Sequence, residues 1–215
     1  MSAAGFPPDK EDRSIRLSPR VIIASMSAAL RKPAMTRDQF LDWVQTQDAR
    51  HEFDGFVPVA MVGGSVNHSR IAQNIYGALY AKLEGSGCEP LGPDAGVATI
   101  GDTVRYPDAL VACGKIPGDT RLVPGVVVVF EVLSPSSVRT DRILKLREYQ
   151  SVASIRRYVI VESSFIGLTV LERTEGHAPW FAQALSAGDV LSMPEIGIEV
   201  PVDAFYKRVD FPEIA

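Results

Sequence analysis

The hydrophobic pattern changes period along the chain. Behind Thr36, which reads as an N-cap with Asp38 and Gln39 in the first turn, Phe40, Leu41, Trp43 and Val44 recur at helical spacing. The stretch His51 to Met61 predicts a hairpin turning at Asp54-Gly55. After a loop over 63–67, a long helix over 67–84 carries Ile71, Ile75, Leu79 and Leu83 on one stripe. Strands are predicted over 95–100, 105–112 and 125–133, then a helix over 140–149 and a strand over 157–162. The stretches 167–173, 180–185 and 189–193 alternate like antiparallel additions, and Leu191 to Tyr206 closes the fold.

That order is helix, three strands, helix, strand. A crossover helix between the strands at 125–133 and 157–162 implies that these two run parallel, with a right-handed connection. The expectation is an α/β fold in one domain over 35–215, with a mixed sheet and added antiparallel strands. Residues 1–34, which begin with prolines and mixed charge, are expected to be a disordered or extended tail, and Met26 and Met35 are alternative starts.

One strand holds an anomaly. In Gly125-Val-Val-Val-Val-Phe-Glu-Val-Leu-Ser134 both faces are apolar, as in a strand covered on both sides, yet Glu131 sits near its end. A buried carboxylate costs several kcal/mol, roughly, unless a cation, metal or donor set offsets it. Two partners are within topological reach. Asp108 follows Pro107 at the head of an apolar alternation, and Lys145 lies on the 140–149 helix. Helical spacing predicts Ile143, Leu146 and Tyr149 as that helix's buried face, with Lys145 on the other face beside Asp141 and Glu148. Two carboxylates and a lysine then meet at adjacent strand ends, either as a metal site or as a buried ion pair.

Composition narrows the classes. With 215 residues, 46% hydrophobic and 22% charged, the chain has length for one sizeable core. A net charge of -4 runs against a phosphate-binding surface. Locally, Arg139, Arg142, Lys145, Arg147, Arg156 and Arg157 outnumber the acids, which reads as a solvated face or as a phosphate track. Cys88 and Cys113 form no CxxC pattern, so reduced, inert thiols are expected. No apolar run reaches bilayer length, and a cytoplasmic protein is expected. The 63–67 loop lacks P-loop spacing, Ser134 and Ser65 lack a GxSxG elbow, and His51-Glu52 lacks a second histidine at helical spacing. His177 is assigned no chemistry. Glu52 is either a further site carboxylate or an exposed strand charge, and His68, in a helix first turn, either a capping residue or a helper.

Tyr106-Pro-Asp108, Phe130-Glu-Val-Leu-Ser134 and Asp141 with Lys145 and Tyr149 resemble the Uma-two family of proposed endonucleases in the PD-(D/E)XK, or restriction-endonuclease-like, superfamily. His51-Glu-Phe-Asp-Gly55 and Asn67-His68 fit the same family, with His51 departing from its usual aromatic, and the likeness runs from about Met35 to Tyr206. The resemblance implies a restriction-endonuclease-like core and a metal-dependent endonuclease that hydrolyses phosphodiester bonds in DNA. Asp108, Glu131 and the backbone carbonyl of Val132 would hold Mg²⁺ (or Mn²⁺), with Lys145 stabilising charge. The parent motif is altered, because Leu133 stands two after Glu131 and the lysine has moved into the helix. Glu52, His68 and Asp141 would help. The implied partners are nucleic acid, no membrane, and a second copy in a homodimer or higher homo-oligomer. Alternatives are a non-catalytic nucleic-acid-binding or regulatory protein and an oligomeric scaffold on the same fold.

Overall fold

The computed structural model describes residues 35–134, 140–176 and 178–211, with residues 140–142 described through their backbone alone. The expected tail over 1–34, Arg139, His177 and the side chains of Asp141 and Arg142 lie outside the described residues.

Thr36 caps the first helix, α1 (Arg37–Val44), reciprocally: its Oγ accepts from the Gln39 N–H at 3.3 Å, while Gln39 Oε1 accepts from the Thr36 N–H at 2.8 Å. β1 (His51–Phe53) and β2 (Pro58–Ala60) form the expected hairpin. Its turn is held by Asp54 Oδ1, which accepts from the Phe56 and Val57 N–H groups, and Gly55 takes the left-handed φ of 87° that the turn requires. Ser65 caps α2 (Val66–Leu83), which buries Ile71, Ile75, Leu79 and Leu83 as its stripe predicts.

The middle of the chain departs from expectation at three places. The first strand of the main sheet is β3 (Cys88–Leu91), upstream of the stretch expected; what remains of that stretch is β4 (Val97–Ala98). The strand expected over 105–112 is two strands, β5 (Val104–Arg105) and β6 (Ala109–Cys113). Pro107 has no N–H to continue a ladder, so the chain breaks there and changes sheets. β5 joins a four-stranded sheet in the order β2-β1-β5-β4, while β6 enters a six-stranded one. Thirdly, Cys88 and Cys113 face each other across β3 and β6 and are joined in a disulfide. The expectation of free thiols fails because only the long-range pairing brings these residues together.

β7 (Val126–Val132) is central and almost wholly buried. After it come a π-helical turn (Thr140–Lys145), α3 (Leu146–Gln150) and β8 (Arg157–Val161), which pairs parallel with β7 as predicted. β9 (Gly167–Glu172) and β10 (Phe181–Ser186) add antiparallel strands, giving the order β10-β9-β8-β7-β6-β3. A hairpin of β11 (Val190–Met193) and β12 (Ile198–Pro201) and a 3₁₀ helix (Val202–Tyr206) finish the fold. On one face of the sheet Val128, Phe130 and Val132 pack with α2, β11, β12 and the 3₁₀ helix; on the other, Val129 and Leu133 pack with Tyr149 and Ile155. Neighbouring residues of β7 thus serve different cores, which leaves Glu131 on the α3 side. The architecture is the expected α/β core of helix, three strands, helix and strand, with a mixed sheet and antiparallel additions.

Candidate active site

Glu131, next to last in β7, is 4% exposed. Its Oε1 accepts hydrogen bonds from Lys145 Nζ at 2.9 Å and from the Tyr149 hydroxyl at 2.8 Å. Lys145 Nζ also lies 3.2 Å from Glu52 Oε1. The other oxygen of Glu52 accepts from Arg105 Nη1 at 2.9 Å, and Arg105 turns its Nε and Nη2 to the two oxygens of Glu148 at 2.6 and 2.7 Å. The bidentate geometry suits a planar guanidinium better than a lysine.

Glu131, Lys145, Glu52, Arg105 and Glu148 therefore form one chain of alternating charge, buried or nearly so. Three carboxylates face two cations in it. Burial pushes the Tyr149 hydroxyl well above its ordinary range, and the Glu131 carboxylate adds to the shift, so Tyr149 is a firm donor. Burial pulls the Arg105 guanidinium down, but the bond to Glu148 and the charge of Glu52 outweigh it and raise the net value.

The helix after β7 corrects the expected facing. Ile143 is 61% exposed, whereas Lys145 is buried with Tyr149 one turn later. Apolar spacing loses here because an unpaired Glu131 in the core costs more than an exposed isoleucine, on the order of 3–5 kcal/mol when one partner of a buried pair is missing. The π-helical turn, which ends at Lys145, changes the phase of the helix at the site itself.

Asp108 stands where β6 begins. Its Oδ2 accepts from the Val132 N–H at 2.7 Å, capping the ladder that Pro107 interrupts, and lies 3.4 Å from His68 Nε2. It is the amide of Val132 that Asp108 engages. His68 lies in the first turn of α2 under Gly64, where an added Cβ would come within 2.6 Å of the imidazole Cγ, so glycine leaves room for the ring.

Asp108, Glu131, Lys145, Glu52 and His68 all line one cleft of about 980 Å³. Its walls are β2 with the loop 61–64 on one side and the Ser69–Tyr76 face of α2 on the other. Arg105, Glu148 and the donor role of Tyr149 were not legible from the sequence. Tyr149 reads there as a core aromatic and Arg105 as the start of a strand. The signal that could find them is the surplus of carboxylates around Glu131. Of the six basic residues grouped in the sequence, Lys145 is buried in the charge chain, Arg157 is buried against Glu195 and Glu172, Arg156 bonds the Arg173 carbonyl and Arg147 is exposed, while Arg139 and the Arg142 side chain lie outside the described residues.

No three of His, Cys, Asp and Glu among the described residues are placed to enclose a metal ion. The donor chemistry nonetheless fits one class of cation. Asp108 and Glu131 offer carboxylate oxygen at one cleft, and carboxylates outnumber cationic side chains around it. Mg²⁺ uses one or two carboxylates and keeps several waters, so it needs no full protein cage.

Residues 37–203 match the model of the Uma2 family, described as a putative restriction endonuclease. The chain belongs to the Uma2 family. A relative, the uncharacterised protein slr1290 of Synechocystis sp., is 31% identical over 185 residues, which cover 83% of this chain and 95% of that protein. Among solved structures, a putative nuclease of the DUF820 family from Anabaena variabilis superposes with a TM-score of 0.62 at 14% identity, covering 80% of this chain and 98% of its own. At that identity the likeness concerns the fold alone. No helix among the described residues is long and apolar enough to cross a membrane.

Proposed function

We propose that this Uma2 protein is a metal-dependent endonuclease that hydrolyses phosphodiester bonds in DNA. The observation that carries the reading is the convergence of Asp108, Glu131 and Lys145 on one cleft at the ends of adjacent strands, with carboxylates in excess. Asp108 and Glu131, with the Val132 carbonyl, would hold Mg²⁺ or Mn²⁺. When bound, such a cation activates water and offsets charge growing on phosphoryl oxygens.

The chain's own groups set the rest. Lys145, fixed between Glu131 and Glu52, holds a positive charge at the cleft floor toward an incoming phosphate. Tyr149 orients Glu131, and the Glu52–Arg105–Glu148 relay holds Lys145 in place. His68 orients Asp108.

Nicking of supercoiled plasmid under Mg²⁺, Mn²⁺ and chelator tests the proposal. Metal-dependent nicking that Asp108→Asn or Glu131→Gln abolishes supports it; nicking unchanged in both variants removes the assignment. A second reading, a non-catalytic nucleic-acid-binding member, is favoured by one observation, that Glu131 Oε1 already receives two donors. Metal-independent binding with no cleavage by the folded wild type selects it.

Self-association is assigned to β10, with a second copy as partner in a homodimer. The Ser186 N–H bonds Asp189 Oδ2 at 2.7 Å and so points away from β9; by the alternation of an antiparallel ladder the N–H groups of Ala184 and Ala182 do the same. Phe181–Ser186 is exposed except for the half-buried Leu185, uncharged and free of proline, and so lacks the features that protect an edge. Ala182-Gln183-Ala184 is self-complementary about a two-fold through Gln183.

A further inference from the structure

The outward face of α2 carries two rings that neither the core nor the charge chain uses. Tyr76 and Tyr80 lie one turn apart, are 39% and 63% exposed, and stack on each other with centroids 6.0 Å apart and planes 25° apart. The opposite face of the same helix is the fully buried stripe Ile71, Ile75 and Leu79. Apolar packing therefore does not explain why large aromatics occupy the exposed side.

Tyr76 lines the same cleft as Asp108 and Glu131. At 1.5 Å per residue, the two turns from His68 to Tyr76 span about 12 Å and the next turn to Tyr80 about 6 Å more. Between His68 and Tyr76 the helix presents Ser69 and Gln73, themselves hydrogen-bonded. The facing wall is apolar, with Val59, Met61 and Val62, the last 83% exposed. Arg50 lies on the rim and Lys145 at the floor.

We propose that Tyr76 and Tyr80 form a stacking platform for unpaired bases, so that the cleft takes a single strand, or the unpaired arm of a larger nucleic acid. The inference rests on the nuclease reading and adds the substrate class. A duplex presents phosphates and groove edges and hides its base faces, so an aromatic and apolar wall gains little from it. Its affinity comes chiefly from phosphate contacts, and the described lining of the cleft sets two cationic side chains, Arg50 and Lys145, against the three carboxylates of Glu52, Asp108 and Glu131. An unpaired nucleotide matches both halves of the cleft: its π-face meets the tyrosines while its phosphate reaches the floor. Stacking also depends less on net charge.

The test uses the full chain with a labelled oligothymidylate and a duplex of equal length, in chelator so that binding is read apart from cleavage. Wild type binds the single strand more tightly than the duplex. Tyr76→Ala/Tyr80→Ala weakens single-strand binding by about tenfold per ring, and Tyr76→Phe/Tyr80→Phe restores it because the ring and not the hydroxyl is used. Both rings are exposed, so an unchanged melting temperature accompanies the loss. Duplex binding as tight as single-strand binding, unchanged affinity in the alanine variant, or failure of the phenylalanine variant to restore it would each overturn the proposal. So would conversion of a dimer to a monomer by the alanine variant with oligonucleotide affinity intact, which assigns the rings to a protein interface. Ring-dependent binding without metal-dependent cleavage of the same oligothymidylate upholds the platform and removes the nuclease reading; metal-dependent cleavage without ring-dependent binding does the reverse.

Discussion

Lys145 Nζ sits 2.9 Å from Glu131 Oε1, and both side chains are withdrawn from solvent. The pair explains how a strand flanked by two apolar cores tolerates a carboxylate. Removing one partner leaves the other charge buried, so Lys145→Met is expected to destabilise the fold by about 3–5 kcal/mol. The double variant Lys145→Met/Glu131→Gln is expected to recover part of that loss. Urea unfolding of the two variants and the wild type measures the difference. A double variant less stable than the single one contradicts a simple paired charge.

The conservative amide variants separate chemistry from folding. Asp108→Asn keeps an oxygen that can accept from the Val132 N–H, and Glu131→Gln keeps one for Tyr149 and Lys145. Both are expected to fold and to lose metal-dependent nicking by at least about a hundredfold, since charge stabilisation at a metal is worth several kcal/mol. Melting temperature and nicking rate, taken across a Mg²⁺ titration, test this together.

The tyrosine hydroxyls predict the alkaline limb of stability. Burial raises Tyr149 well above 10, and raises Tyr206 to about 12 although the hydrogen bond that the Gly167 N–H donates to the Tyr206 oxygen opposes the shift. A group with a raised folded value contributes stability that is whole below its unfolded pKa, near 10, and is lost as pH climbs through the folded value. Stability is therefore expected to decline between about pH 10 and 12. Part of the tyrosinate absorbance should appear only together with loss of circular dichroism. Complete tyrosine ionisation in a still folded protein would contradict the burial described.

At the sheet edge, Ala184→Pro removes an N–H that points away from β9 and leaves the β9 ladder intact. The expected outcome in sedimentation is a shift from dimer to monomer, with little change in the melting temperature of the monomer. A wild type that is monomeric at all accessible concentrations contradicts pairing through β10.

Legibility followed the range of the interactions. The buried stripe of α2, the cap at Thr36 and the turn at Asp54-Gly55 depend on residues within a few positions of each other, and each forms as its local pattern implies. The break at Pro107 is local chemistry too, but its consequence, a strand divided between two sheets, depends on which neighbours each half finds. β3 has no alternation to mark it, and the Cys88–Cys113 pairing follows from β3. The helical phase at Lys145 was misread because apolar spacing counts Ile143 as core, whereas the energy that sets the phase comes from Glu131, fourteen positions earlier.

The sequence by itself determined the order of the elements, the parallel pairing across the 140–149 crossover and the presence of a carboxylate in need of a partner, because periodicity and the cost of burying charge act whatever the final packing. Only the tertiary structure decided what satisfies that carboxylate. Lys145 and Tyr149 bind Glu131 directly, and Glu52, Arg105 and Glu148 extend the chain of charge. Those contacts join elements distant along the chain, and a charge takes whichever opposite charge folding brings within reach.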